Sequence, residues 1–314
     1  MTDSMQPKAH LVTGAFGFTG KYIAQRLLDA GNRVATLTSS PDRKNSFEGR
    51  VEVRPYRFDS VDAMTESLRD VEVLYNTYWV RFSDKSATHS TAVDNTMVLF
   101  EAAKRAAVSR IVHISVANPD ENSPLAYYKG KGILERELKS SGLNYAIVRP
   151  AVLFGQGGIL INNIAWTLRM LPVFSVFGKG DYHIQPVYVD DLAKIMVEQG
   201  QLRENIVMHA LGQEDFTYRE FVKTLGEIIG CRRPIFGIPA WMGYTASLFI
   251  GMLMRDVFVS KEEIAALMGD LLHVPGVEPT GATRFTDWAK KHAGTLGKRY
   301  ANEMGRRRDK VSAY

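Results

Sequence analysis

The stretch Thr13-Gly14-Ala15-Phe16-Gly17-Phe18-Thr19-Gly20 decides how the chain is read. It lies between a short β-type run, His10 to Thr13, and a helix-type stretch, Lys21 to Ala30, whose Ile23, Leu27 and Leu28 share one face. A glycine pattern alone is a weak signal. Strand, glycines and helix in this order, inside the first ~30-residue βαβ unit, are far more specific. Gly14 permits the tight turn, Gly17 lets the backbone approach a pyrophosphate, and Gly20 lets the helix pack close on the sheet. The helix N-terminus then presents N–H groups and a favourable dipole to the phosphates. With Phe16 and Phe18 in the same loop, the stretch predicts a dinucleotide site.

The same alternation continues outward to about Arg149. Gly31 closes the first helix in the usual C-terminal position. Further β-type runs follow at Arg33 to Thr38, Val51 to Phe58, Val71 to Thr77, Arg110 to Ser115 and Asn144 to Val148. Helices are expected between them at Val61 to Arg69, Thr91 to Ala106 and Tyr128 to Ser140. This rhythm predicts an α/β fold, a Rossmann-type doubly wound parallel sheet. Beyond Pro150 the pattern becomes loop-rich and mainly helical, with helices at Asn162 to Met170, Tyr218 to Ile229, Ala240 to Met254, Lys261 to Leu271 and Phe285 to Ala301. A short strand running into a helix is expected over Val187 to Gln199. Residues 1–155 are thus read as the NAD(P)-binding domain, with a strand and helix near 185–200 returning to it. Residues 156–305 are read as a smaller substrate-side domain, and 306–314 as a basic tail expected to be disordered beyond about Gly305.

The dinucleotide's identity is read about 20 residues after the glycines, where a carboxylate would accept the ribose hydroxyls of NAD. Here the chain has Thr38, Ser39 and Ser40, followed by Asp42, Arg43 and Lys44. The absent carboxylate and the two cations favour NADP, with NAD as the alternative. A solvated turn is the plain competing explanation for the cations.

Composition bounds the rest. The 314 residues are 45% hydrophobic and 23% charged, ordinary globular usage, and the one cysteine, Cys231, forms no intramolecular disulfide and no Cys-rich metal framework. An intracellular, cytoplasmic setting is expected, and MTDSMQPKAH has no apolar run behind a basic stretch, so no secretory leader is expected.

With the glycine stretch in this place, the chain resembles the extended and atypical branch of the short-chain dehydrogenase/reductase superfamily, which includes nucleotide-sugar epimerases and NmrA-like proteins. Phe58-Asp59, Asn76-Thr77-Tyr78, Val112-His113-Ile114-Ser115, Tyr127-Tyr128-Lys129-Gly130-Lys131, Val148-Arg149-Pro150 with Leu153-Phe154-Gly155, and Val187 to Ala193 carry the likeness over most of the chain. Within the branch it looks similar to a subgroup related to the complex I accessory subunit of this fold. The resemblance implies that Asp59 meets the adenine amino group, and that Phe58, Asn76, Thr77, Tyr78 and Pro150 line the cofactor. It also implies that Lys131 holds the nicotinamide ribose and that Tyr127 is the general acid/base.

Tyr127 and Lys131 are four apart and share a helix face. A nearby ammonium favours the phenolate of a tyrosine whose ordinary pKa is about 10, which makes proton transfer feasible beside a hydride carrier. Tyr-x-x-x-Lys also arises by chance on amphipathic helices. The third member departs from the family pattern: Val116 stands where catalytic relatives have a Ser or Thr, with Ser115 and Asn118 as substitute donors. Loss of one such donor costs on the order of 10²–10³ in rate. An NAD(P)-dependent oxidoreductase acting on an unidentified, apolar carbonyl or alcohol is the leading expectation. A nucleotide-sugar epimerase or dehydratase and a catalytically weak sensor or assembly subunit are the alternatives.

On the substrate side, Asn162, Asn163 and Arg169 are candidates for a diphosphate, although asparagines opening a helix are more often caps. Tyr75, Tyr78, Trp79, Phe82, Trp166, Phe174 and Phe177 suggest a planar ligand or ordinary core. His183 reads as polar surface rather than a proton carrier. No His/Cys/Glu spacing suits a metal, and no Ser/His/Asp arrangement suits nucleophilic catalysis.

Ala240 to Met254 is apolar nearly all round, which predicts burial in the domain or a homodimer contact, with interfacial membrane docking as the alternative. At ~1.5 Å per residue its 15 residues reach roughly 22 Å, too short to span a membrane. The formal charge of +5 is local: residues 290–310 hold eight cations against two acids, and the remainder is close to neutral. That argues against a nucleic-acid partner and puts the basic tail beside the apolar helix as an aid to peripheral membrane contact.

Overall fold

The computed structural model describes residues 7–84 and 87–312. The leader expectation at the N-terminus and the last two residues of the tail lie outside these. The elements, in chain order, are β1 (Ala9–Thr13), α1 (Gly20–Asp29), β2 (Val34–Leu37), β3 (Val51–Arg54), α2 (Val61–Ser67), β4 (Val71–Asn76), α3 (His89–Arg105), β5 (Arg110–Ile114), α4 (Ala126–Ser140) and β6 (Tyr145–Pro150). Then come β7 (Leu153–Phe154), α5 (Leu160–Met170), β8 (Phe174–Phe177), β9 (His183–Ile184), β10 (Val187–Tyr188), α6 (Val189–Gln201) and β11 (Ile206–Ala210). The last are β12 (Phe216–Thr217), α7 (Tyr218–Ile228), β13 (Ile235–Ile238), α8 (Ala240–Met254), α9 (Lys261–Met268), α10 (Phe285–His292) and α11 (Glu303–Arg308).

Two compact units result: Met1–Arg149 with Ala193–Met208 and Lys310–Tyr314, and Pro150–Leu192 with His209–Asp309. The first holds a seven-stranded sheet in the order β11-β6-β5-β4-β1-β2-β3. β1 pairs in parallel with both β2 and β4, so the winding reverses at β1, as in a doubly wound Rossmann sheet. The central strands read as continuous apolar runs because helices cover both faces. Leu11, Ala35, Leu74, Ile111 and Ile147 pack with Leu99, Leu134 and Leu138 of the helices.

The second unit buries Phe154, Ile164, Leu168, Val176, Phe221, Leu225, Phe285 and Trp288 around α5, α7 and α10. Its shortest strands escape detection by alternation, since two residues carry no period. α7 is fixed by a capping box between Thr217 and Glu220.

Several expectations are corrected. The expected helix from Phe285 to Ala301 stops at His292, after which the chain turns. The tail is not disordered over its described length: α11 runs to Arg308, and Lys44 N–H donates to the Val311 carbonyl at 2.7 Å. α8 has the expected limits, but its large side chains are not buried within the chain. Gly243, Ser247 and Gly251 are its buried face, while Trp241, Phe249, Met252 and Leu253 are 70–77% exposed. The small residues are required there: a Cβ on Gly243 would lie 2.3 Å from Phe177. Among the described residues no helix is long and apolar enough to cross a membrane.

Candidate dinucleotide site

The glycine turn is built as its residues dictate. Gly14 takes φ +68°, and Gly17 N–H donates to its carbonyl at 2.8 Å. A Cβ on Gly20 would stand 2.2 Å from that same carbonyl, and one on Gly17 3.2 Å away, so the turn coils too tightly for side chains. Thr19 supplies no side-chain cap to α1 and the first turn has no acid, which leaves the positive helix end for an anion. Ala15 N–H is anchored on Thr36 Oγ1 at 3.0 Å. Phe16 is buried against Phe47, and Phe18 meets Tyr22 edge-on. The geometry fits a dinucleotide pyrophosphate.

Around the turn, Thr13 Oγ1 accepts from Thr77 N–H at 2.8 Å, and Thr77 Oγ1 donates to the Thr13 carbonyl at 2.6 Å. Asn76 is fully buried and bonds His113 Nδ1 at 3.0 Å, while its carbonyl oxygen accepts from Tyr78 N–H. These contacts clasp the C-terminal ends of β1, β4 and β5. Asn76 therefore positions the strands, its side chain buried among them. Tyr78, Phe58 and Tyr56 form one ring cluster. Asp59 is exposed and paired with Arg57, whose hydrogen bonds hold its carboxyl below the usual range.

At the other end of the adenosine position, Thr38 Oγ1 accepts from Ser40 N–H, Ser39 is exposed and Arg43 is buried, donating to the Ser312 carbonyl at 3.3 Å. The described tail thus lies on the loop that would read a 2′-phosphate.

Tyr127 and Lys131 share one face of α4, and Trp79 sits between them. The Trp79 ring meets Tyr127 edge-on at 5.7 Å and lies under the Lys131 ammonium at 4.4 Å. Lys131 is 2% exposed, and its Nζ donates to the Ile114 carbonyl at 2.7 Å. Burial pulls its pKa down to about 7, against the opposing pull of Glu135. Burial, then the Lys131 charge, keep His113 well below its ordinary range and therefore neutral. Gly130 is needed because a Cβ would meet Trp79 at 2.8 Å.

Ser115 is buried on the Glu135 side of β5, where it helps lower that carboxyl without completing a hydrogen bond of normal geometry. Burial would raise Glu135, but Arg149, Ser115 and Lys139 hold it below the usual range. Val116 is buried and has no donor. Trp79 Nε1, His113 Nε2 and Ser115 Oγ are buried without partners, and they mark polar ground around this end of the site.

The family described as NAD(P)H-binding matches residues 14–160, spanning the glycine turn, Tyr127 and Lys131. The match covers just under half of the chain, the part that carries the glycine turn and the Tyr127–Lys131 helix. The chain is 27% identical to the NADH dehydrogenase [ubiquinone] 1 alpha subcomplex subunit 9 of Dictyostelium discoideum, over 67% of this chain and 61% of that one. It is 24% identical to the photosystem II assembly factor Ycf39 of Guillardia theta, over 92% and 95%. A nucleoside-diphosphate-sugar epimerase from Staphylococcus aureus superposes with a TM-score of 0.65 at 16% identity, covering 94% of this chain and 98% of that one, a likeness of fold. The chain spans about half to three-fifths of the subunit 9 relatives it matches.

The other candidate residues fall elsewhere. Asn162 and Asn163 are not caps but bond the backbone of Arg299, Gly297 and Ala301, and Arg169 bonds the carbonyls of Ala293 and Leu296. These side chains tie down 293–301 and are unavailable to a sugar diphosphate. Tyr75 is core, its hydroxyl 3.2 Å from His10 Nδ1, and Phe174 is core as well. Pro150 is buried at the end of β6. Sequence reading missed a cluster altogether: His183, Asp215 and His273 meet in space although 32 and 58 residues separate them.

Proposed function

We propose that this protein, an extended and atypical short-chain dehydrogenase/reductase in type, binds an NADP dinucleotide as a sensed or structural ligand and serves as an assembly or accessory subunit, with little or no substrate turnover. The observation that carries this reading is the end of β5: Val116, buried and without a hydrogen-bonding side chain, stands at the position where a Ser or Thr would meet a substrate oxygen. The burial of Lys131 supports it further, because its ammonium already lies over the Trp79 ring and donates to the Ile114 carbonyl. The relatives named as a complex I subunit and a photosystem II assembly factor are in keeping with such a role. The missing carboxylate after β2 and the exposed Lys44 favour NADP over NAD, while Arg43 is held by the tail. Replacing the native copy with Tyr127→Phe is expected to leave the cellular phenotype unchanged; loss of function with unaltered NADPH affinity would contradict the reading.

A second reading, an oxidoreductase acting on an apolar carbonyl or alcohol, is favoured by the shared face of Tyr127 and Lys131. A lysine near pKa 7 can exchange a proton at neutral pH. Steady NADPH oxidation with a panel of such carbonyls, abolished by Tyr127→Phe, would establish it instead.

The proposed working site is an anionic membrane surface on the cytoplasmic side. α8 exposes its large side chains, and cations flank it: Arg255 caps it, Lys261 lies over Tyr244 at 5.0 Å, and α11 with Arg308 is tied to its end by Asn302 Nδ2 donating to the Met254 carbonyl. Apolar insertion beside basic residues is the composition of an interfacial helix. Binding to vesicles containing anionic lipid, and not to neutral vesicles, tests this; a stable dimer covering α8 without vesicle binding would replace it.

A further inference from the structure

The cluster of His183, Asp215 and His273 lies entirely in the second unit, apart from the dinucleotide turn. His183 Nδ1 is 3.1 Å from Asp215 Oδ2, His273 Nε2 is 3.3 Å from the same oxygen, and the three ligand atoms all lie within 4.8 Å of one another. The imidazole rings face each other at 4.9 Å with a 32° tilt. We infer that these three side chains form a binding site for a divalent transition-metal ion of the zinc class.

The distances suit such an ion. Bonds of about 2.05 Å in a tetrahedral shell put neighbouring ligand atoms roughly 3.3 Å apart. Both nitrogen-to-oxygen edges match that spacing. Two imidazoles and a carboxylate are a borderline-soft donor set that selects zinc, cobalt or iron over magnesium or calcium. Three protein ligands leave a fourth position, and the half-exposed Asp215 places it toward solvent, where water would complete the shell.

The scaffold holds the donors from three directions. β9 and β12 pair antiparallel with His183 opposite Thr217, which fixes Asp215 immediately ahead of β12. The Thr217–Glu220 capping box anchors the same strand end. His183 N–H donates to Asp270 Oδ1 at 2.5 Å, and Gln185 N–H to the Leu272 carbonyl, so the turn bearing His273 is laced to β9. Asp270 itself takes a left-handed φ of 58°, a strained conformation for a residue with a side chain, held by these contacts. Asp270 also lines a cavity of about 350 Å³ with Lys179, Asp181 and Tyr182. Bound metal would cross-link β9, the β12 start and the 270–273 turn.

The test is titration of the tag-free, chelator-stripped full-length protein with Co²⁺ at pH 7.5, followed by Zn²⁺ competition. One Co²⁺ per chain is expected, with the visible absorption of low-coordinate cobalt, displaced by Zn²⁺, and with thermal stabilisation by Zn²⁺. His183→Ala, Asp215→Asn and His273→Ala should each weaken Co²⁺ at least 10-fold. His292→Gln, a histidine outside the cluster, should bind as the unaltered chain does. Each variant's far-ultraviolet dichroism and melting are measured without metal, so that a misfolded variant is replaced by His183→Gln or His273→Gln. Failure of the unaltered chain to saturate with either ion below 1 mM, or equal affinity in folded cluster variants, would overturn the site and leave a hydrogen-bonded His–Asp–His triplet.

Discussion

Lys131 Nζ donates to the Ile114 carbonyl across 2.7 Å, which fixes the α4 ammonium to the end of β5 and places it against Trp79. The pairing makes the lysine part of the sheet's end wall. Its energetic consequence is measurable.

Free lysine titrates near 10.5, and burial brings Lys131 to about 7. Below about 7 both folded and unfolded chains hold the proton, and the folded state bears the full cost of a buried ammonium. Between 7 and 10.5 only the unfolded chain keeps it, so this group makes stability rise with pH across that window. Lys131→Met should stabilise the protein at pH 7, by at most roughly 5 kcal/mol, and flatten the slope between pH 7.5 and 10. Denaturant unfolding at several pH values checks both.

Glu135 behaves oppositely. Arg149 is its main counter-charge, at 2.6 Å, and its carboxyl sits below the ordinary range. That contribution is present above the unfolded carboxyl's pKa and is lost as pH falls through the lower, folded value. Arg149→Met would remove the main counter-charge of the buried Glu135, a loss of about 3 kcal/mol at neutral pH. Urea unfolding at pH 7 measures it, and the difference from the unaltered chain should shrink in acid.

Gly20→Ala forces a Cβ to within 2.2 Å of the Gly14 carbonyl. The expected cost is about 1–3 kcal/mol, with loss of dinucleotide binding as the turn opens. Gly294→Ala, where a Cβ meets nothing within 4 Å, is the control and should change stability by less than about 1 kcal/mol. Chemical denaturation and NADPH titration of both variants decide this.

Replacing Phe249 and Leu253 with glutamate touches side chains that are 72% and 77% exposed. Stability should move by no more than about 0.5 kcal/mol per site. Co-sedimentation with anionic vesicles should fall at least tenfold, and unchanged sedimentation would remove α8 from the membrane.

The Rossmann half was legible in the sequence because its signals are local: a glycine turn whose atoms lie within a few residues, and apolar runs long enough to show a period. β11 went unread as a sheet strand because only strand pairing with β6 distinguishes Ile206–Ala210 from loop. The exposure of α8 was invisible for a different reason. A helix that is apolar all round gives no preferred face, and the side that packs was decided by Gly243, Ser247 and Gly251 fitting against Phe177 and Asp256. The tail's return to Lys44 and the meeting of His183, Asp215 and His273 join residues far apart in the chain, which no spacing rule could bring together. At the candidate site, the Tyr127–Lys131 face was readable from i, i+4 spacing, whereas the burial of Ser115 at the end of β5 depends on strand register.

The central claim is that the Gly14–Gly20 turn holds a nicotinamide dinucleotide, and fluorescence titration of the dialysed protein with NADPH and NADH tests it most directly. A saturable enhancement at one NADPH per chain, weaker for NADH, lost in Gly20→Ala and unaccompanied by oxidation of the nucleotide, is the predicted result. No enhancement and no thermal stabilisation by either dinucleotide would contradict it.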